Sequence, residues 1–214
     1  MSNLASAPTT QSPLHPFGLA EKAKPLDASC GAWANEVPLQ GYISLRGDTG
    51  NAQFVEAVSK ALGIKLPMEP CTHVQSAATT VLWLSPDEWM IVTPREELGA
   101  RIKALNEALS GIRSQVVDNS GGYTQVIVQG RYARDVISHC TVYDLGHLKP
   151  GRIVGTTFGK TSVYLRQHND GYCLLLRRSF ADYIWRYLER AAQPYGFGIA
   201  KLAPDVMSHS GAGS

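Results

Sequence analysis

Cysteine, charge and long apolar runs are all scarce in this 214-residue sequence, and each scarcity removes a class of function. The four cysteines, Cys30, Cys71, Cys140 and Cys173, lie far apart and form no Cys-x-x-Cys pair. Cys140 and Cys173 fall within apolar runs, where a reduced, buried thiol is expected. Charged residues make up 18% of the chain, below the usual quarter or so, as if part of the surface were covered by something else. The net charge is +2, and Lys and Arg are scattered among acids rather than clustered, which argues against a nucleic-acid partner. No run approaches the roughly 18 apolar residues of a membrane-spanning helix. The stretch before Lys22 has neither a basic leader nor an apolar core, so a secretory signal is not expected and a cytoplasmic location is.

The common catalytic signatures are missing as well. No Gly-x-Ser-x-Gly elbow and no Gly-x-Gly-x-x-Gly dinucleotide fingerprint occurs. Gly159-Lys160-Thr161 imitates the end of a phosphate-binding loop, but Val154 stands where the first glycine belongs. Such a loop must also open a helix. Here it runs into Ser162–His168, rich in strand formers, then the turn Asn169-Asp170-Gly171 and the apolar run Tyr172–Leu176, a pattern that predicts a β-hairpin.

What the sequence does contain is an internal repeat. An offset of 83 residues takes Gly47 to Gly130, Leu62-Gly63 to Leu145-Gly146, Pro67 to Pro150, Asp87 to Asp170 and Leu105 to Leu188 without a gap. Few positions are identical, but the apolar patterns match. Leu98, Ile102, Leu105 and Leu109 recur at helical spacing, as do Phe180, Ile184, Tyr187 and Ala191. Shorter helices are expected around Phe54, Val58 and Leu62, and around Ala133, Val136, Ile137 and Cys140. Each half therefore predicts strand, helix, Pro-bearing loop, strand, strand, helix. The whole is an α+β fold with antiparallel sheets and helices on one face of each. The duplicated domain is placed at 39–202, with pseudo-repeats at about 40–110 and 123–193. Residues 1–38 are expected to form an extended arm, free or laid over a partner, and 203–214 a flexible tail.

Few residues offer chemistry. Cys71, His73, His139 and Cys140 supply metal-ligand types, but neither pair has the spacing of a structural zinc site, and adjacent His139 and Cys140 would face different ways on a helix. Asn119–Tyr123 fits a chain reversal better than a glycine-lined ligand loop. Ser179 can cap the last helix, with Arg177 and Arg178 at a surface or interface, and Trp89 is expected inside. Asp144, between a helix and a Pro-Gly turn, is a candidate to face a cleft, against the simpler reading of a solvated loop acid. No catalytic, cofactor-binding or metal residue is assigned.

"LWLSPDEWMIV" (82–92), "DNSGGYTQVIVQG" (118–130) and the run from Leu148 to Gly198, above all "RRSFADYIWRYL" (177–188), resemble the gamma subunits of heterotetrameric sarcosine oxidase over roughly residues 35 to 200. The resemblance implies a bacterial complex of alpha, beta, gamma and delta subunits. Such a complex oxidises sarcosine with oxygen to glycine and hydrogen peroxide, and forms 5,10-methylenetetrahydrofolate when tetrahydrofolate is present. It further implies FAD, covalently attached FMN and NAD on alpha and beta, zinc on delta, and a structural, non-catalytic role for this chain. The implied fold is that of the folate-binding aminomethyltransferase domain, itself duplicated. Asp144, followed by Pro150-Gly151-Arg152, comes nearest to a folate ligand of that superfamily, but the surrounding motif departs from its pattern. The alternatives are a stand-alone folate-binding or aminomethyltransferase-like protein and a regulatory small-molecule-binding module.

Overall fold

The computed structural model describes residues 10–202. Strands β1 (Ala32–Val37), β2 (Gly41–Gly47), β3 (His73–Ser76), β4 (Thr79–Ser85), β5 (Glu88–Thr93) and β6 (Ser114–Asp118) belong to the first part of the chain. The second part contains β7 (Tyr123–Gln129), β8 (Ile153–Phe158), β9 (Thr161–His168), β10 (Gly171–Arg177) and β11 (Phe197–Ile199). The helices are α1 (Leu19–Lys22), α2 (Ala52–Leu62), α3 (Leu98–Ala108), α4 (Ala133–Cys140) and α5 (Ala181–Ala192). Two sheets result, in the orders β3-β4-β5-β2-β6 and β11-β1-β7-β10-β9-β8.

The 83-residue offset superposes β2 on β7, β4 on β9, β5 on β10 and α3 on α5, each within a residue or so at the ends, and reaches the edge strands β6 and β11. In these terms the two sheets have one strand order, with β1 inserted between β11 and β7 in the second. All pairings are antiparallel except β1 with β11. Each half thus carries two strands more than the sequence pattern predicted. The extra strands β3, β6, β8 and β11 lie at sheet edges, where side chains are half exposed and the apolar alternation is weak.

Each sheet carries its helices on its outer face. Phe54, Val58 and Leu62 of α2 and Leu98 and Leu105 of α3 pack on Ile43, Leu45, Val81 and Ile91. Ala133, Val136, Ile137 and Cys140 of α4 pack with α5 on Val126, Val128, Leu174 and Leu176. The inner faces meet through Tyr42, Leu82, Met90 and Val92 from one sheet and Ile153 and Leu175 from the other. A strand covered on both faces needs apolar residues throughout, and β10 is accordingly buried from Gly171 to Leu176.

Local signals explain most ends. Asn51 caps α2, its side chain accepting the Gln53 N–H at 3.0 Å, and Gly63 closes it in the left-handed conformation. Ser179 does not cap α5; it lies in a 3-10 turn, Arg178–Phe180, and no side chain caps that helix end. The buried stripe of α5 is Ala181, Ile184, Trp185, Leu188 and Ala192, with Phe180 42% exposed and Tyr187 half-buried. Phe180-Ile184-Tyr187-Ala191 and Ala181-Trp185-Leu188-Ala192 have the same spacing, and sequence chose the flank occupied by the stacked rings of Tyr183 and Tyr187.

The expected arm also ends earlier than residue 38. Residues 32–37 form β1, an internal strand buried throughout, despite Asn35 and Glu36 at its centre. The arm's described part lies on its own domain: Leu14 is fully buried among residues of α4 and α5. The predicted tail at 203–214 lies outside the described residues.

The predicted hairpin is present, with Asn169-Asp170 linking β9 to β10 and Asn169 alone taking positive φ, 48°. Gly171 therefore serves another purpose: a Cβ there would collide with the Val128 carbonyl on β7. Gly171→Ala should cost about 2–3 kcal/mol, as overpacking of a closed sheet does, measured by urea unfolding against Gly99→Ala, where the space is open.

Candidate functional site

Asp144 is a surface residue. Its Oδ1 accepts the Gly146 N–H at 2.8 Å, capping the 3-10 turn Leu145–His147, and His147 Nδ1 lies 3.0 Å from Oδ2. The side chain is 67% exposed, and the Gly146 hydrogen bond, aided by the charges of His147 and Arg134, holds its pKa below the ordinary carboxylate value. One contact on each oxygen goes to its own turn, and no cleft is built around it in the described contacts.

The remaining candidates separate. Gly159-Lys160 is the tight turn between β8 and β9, with the Lys160 N–H donating to the Tyr183 hydroxyl at 3.0 Å. Asn119–Tyr123 joins the two halves: Ser120 Oγ accepts the Tyr42 N–H at 3.0 Å, and Asn119 Nδ2 donates to Ser44 Oγ at 3.1 Å. Cys140 sits in the second core, where burial pushes its thiol up to about 12, while His139 turns outward to the Tyr195 hydroxyl, 3.2 Å away. Among the described residues, no three His, Cys, Asp or Glu side chains gather closely enough to hold a metal ion. Trp89 is fully buried, its ring N–H bonded to the Pro67 carbonyl at 2.8 Å.

The structure shows one feature that sequence reasoning missed. Between the sheets, beside the apolar contact, a cavity of about 290 Å³ is lined by His73, Gln75 and Thr80 from one sheet and Gln125, Arg166 and His168 from the other. Gln125 and Arg166 are buried, 5% and 7% exposed. Both occupy inward positions of strands that a sheet covers on one side and helices on the other. Their only sequence signal is a polar residue inside an apolar strand. One ring N–H of His73 faces the Arg152 carbonyl, while its Nδ1 has no partner. Burial first, then the charge of Arg166 and the neighbouring His168, lower the His73 pKa from 6.5 to about 4.

That depression has a sign. The folded state keeps His73 neutral while the unfolded state protonates near pH 6.5, so its contribution to stability is intact above 6.5 and falls as pH drops toward 4. Allowing for partial solvent screening, the loss is about 2 kcal/mol. His73→Gln should flatten that part of the stability–pH curve, measured by urea unfolding at intervals from pH 7 to 4.

Two α+β units of one topology, stacked sheet to sheet with helices outside, define a duplicated domain of the kind found in aminomethyltransferases. The solved aminomethyltransferase T of the glycine cleavage system from Bartonella henselae has this fold (TM-score 0.62, 15% identity, 83% of this chain and 56% of that one). More specifically, the chain belongs to the sarcosine oxidase gamma subunit family, whose pattern matches residues 46–193. Curated relatives are the sarcosine oxidase gamma subunits of an Arthrobacter species (30% identical) and of Corynebacterium strain P-1 (28% identical), each over 72% of this chain and 76% of its own length. A chain of the heterotetrameric sarcosine oxidase from Corynebacterium sp. U-96, solved with pyrrole 2-carboxylate, superposes with a TM-score of 0.78 at 25% identity, over 91% of this chain and 99% of that one. No helix among the described residues is long and apolar enough to cross a membrane.

Proposed function

We propose that this chain is a structural, non-catalytic subunit within a heterotetrameric sarcosine oxidase, assembled with alpha, beta and delta subunits. The observation that carries the reading is the superposition of nearly the whole described chain on a chain of such a heterotetramer. In this reading the complex removes the methyl group of sarcosine oxidatively, with oxygen as electron acceptor, yielding glycine and hydrogen peroxide. The one-carbon unit is passed to tetrahydrofolate as 5,10-methylenetetrahydrofolate. FAD, covalently attached FMN and NAD are assigned to alpha and beta, and zinc to delta. The complex is placed in the cytoplasm.

The test is affinity purification of the tagged chain from its native host, with an absorbance spectrum of the eluate. A yellow complex with three companion polypeptides and sarcosine-dependent peroxide is expected, and a colourless, inactive chain when it is expressed alone. A lone chain that binds tetrahydrofolate, with affinity that falls in Asp144→Asn, would overturn the reading in favour of a stand-alone folate-binding protein.

A further inference from the structure

The inter-sheet cavity holds a cation without an anion. Arg166 is 93% buried by the complement of its 7% exposure, and it forms no ion pair among the described residues. Its Nε has no partner, and Nη1 reaches the carbonyl of its neighbour Gln167 at a marginal 3.5 Å. Across the β9–β10 ladder it hydrogen-bonds the Cys173 thiol, which burial pushes up and so keeps neutral, a partner without the charge to balance it. The buried carboxylate Glu36 is already engaged, accepting from the Thr124 hydroxyl at 2.6 Å and from Ser12. A guanidinium does not deprotonate in a protein, so burial leaves its charge in place, and an uncompensated buried charge is strongly destabilising.

The surroundings show what would compensate it. Gln125, also buried, has an amide nitrogen with no partner in the same cavity. Neutral His73 adds no charge, and no carboxylate is among the lining residues, which include Gln75, Thr80, Gln167 and His168 beside Arg166 and Gln125. A guanidinium fork with a side-chain N–H donor matches the two coplanar oxygens of a carboxylate and balances one negative charge, not the two of a phosphate. About 290 Å³ is at the small end of ligand cavities and suits an acid of a few carbons. Gln75, Ala77 and Asn169, all exposed, form its rim and give it access to solvent.

We propose that the cavity between the two sheets is a binding site for a small monocarboxylate, with Arg166 as its charge partner and Gln125 as its second donor. This site is independent of the assembly proposed above and of any carboxylate site on a companion subunit.

The test uses the full-length chain as it purifies, alone or with companions, titrated calorimetrically with acetate in a buffer free of other carboxylates. Saturable binding is expected, lost by roughly a hundredfold or more in Arg166→Met and weakened roughly tenfold in Gln125→Leu. The difference between wild type and variants isolates this cavity from acetate sites elsewhere. Acetate should raise the melting temperature of the wild type but not of Arg166→Met, and without acetate the variant should melt no lower than the wild type. No difference between wild type and variants up to roughly 100 mM acetate, far above weak-binding concentrations, would overturn the proposal. So would a lower melting temperature of acetate-free Arg166→Met, the mark of a guanidinium already satisfied by the protein. If Arg166→Met does not fold, Gln125→Leu decides: undiminished binding sinks the site.

Discussion

Leu14→Ala is expected to lower the unfolding free energy by about 3 kcal/mol, the ordinary cost of emptying a sealed leucine site. Leu14 has no exposed surface and sits with Leu19 in the core shared by α4 and α5. Its segment is pinned on both sides: Arg178 Nη2 donates to the Gln11 carbonyl at 2.6 Å, and Ser12 and the Leu14 backbone hydrogen-bond buried Glu36. Further along, Lys24 bridges to Ala200 as a parallel extension at the β11 edge, with the Lys24 N–H on the Ile199 carbonyl at 3.0 Å. Deleting residues 10–31 would therefore uncover the second core and leave buried Glu36 with Thr124 alone in place of Ser12 and the Leu14 backbone, removing a large share of the roughly 5–15 kcal/mol that typically holds a domain together. Urea unfolding of Leu14→Ala beside Leu26→Ala, a site 43% exposed, checks the point. A similar small loss at both positions would mean that the segment is a loose arm after all. Any failure of a truncated chain to assemble should then be read first as a failure to fold.

The pattern of what the sequence revealed follows from which faces are covered. Helices α2 and α4 have one buried face and one wet one, and Phe54, Val58 and Leu62, or Val136, Ile137 and Cys140, mark it plainly. The repeat was equally legible, because corresponding strands and helices keep the 83-residue offset even where identity is lost. Strand β1 was not legible. Ala-Trp-Ala-Asn-Glu-Val has two strongly polar residues at its centre, which tertiary partners satisfy: Asn35 Nδ2 donates to the Ala200 carbonyl at 2.7 Å, and Glu36 accepts from Thr124. Gly171 looked like turn chemistry, but its small size is required by the neighbouring strand. The inter-sheet cavity was invisible for a related reason. Sequence cannot distinguish Gln125 or Arg166 facing water from the same residue facing a second sheet.

Trp89→Ala is expected to remove about 3–5 kcal/mol from the first half of the chain while sparing much of the second. The indole is fully buried against Phe54, ring centroids 5.9 Å apart, and its N–H satisfies the Pro67 carbonyl at 2.8 Å, so truncation leaves both a cavity and an orphaned acceptor. That half, Gly41 to Asp118, completes its own sheet and its own helix layer, with a core separate from that of α4 and α5. The halves communicate through a small apolar inter-sheet contact and a strip near the pseudo-symmetric centre. There the His73 N–H meets the Gly151 carbonyl at 3.0 Å and the Ile153 N–H meets Cys71 at 2.9 Å, while Glu69 pairs with Arg152, its counterpart 83 residues on. Units joined this sparingly can open one at a time. Native-state hydrogen exchange reads the outcome directly: amides of β2, β4 and β5 should lose protection in Trp89→Ala, while those of β7 and β10 stay close to wild type. An equal loss across both sheets would show that the strip and the inter-sheet contact bind the halves into one cooperative unit. In that case damage to either core would be felt across the whole surface that the chain presents to its companion subunits.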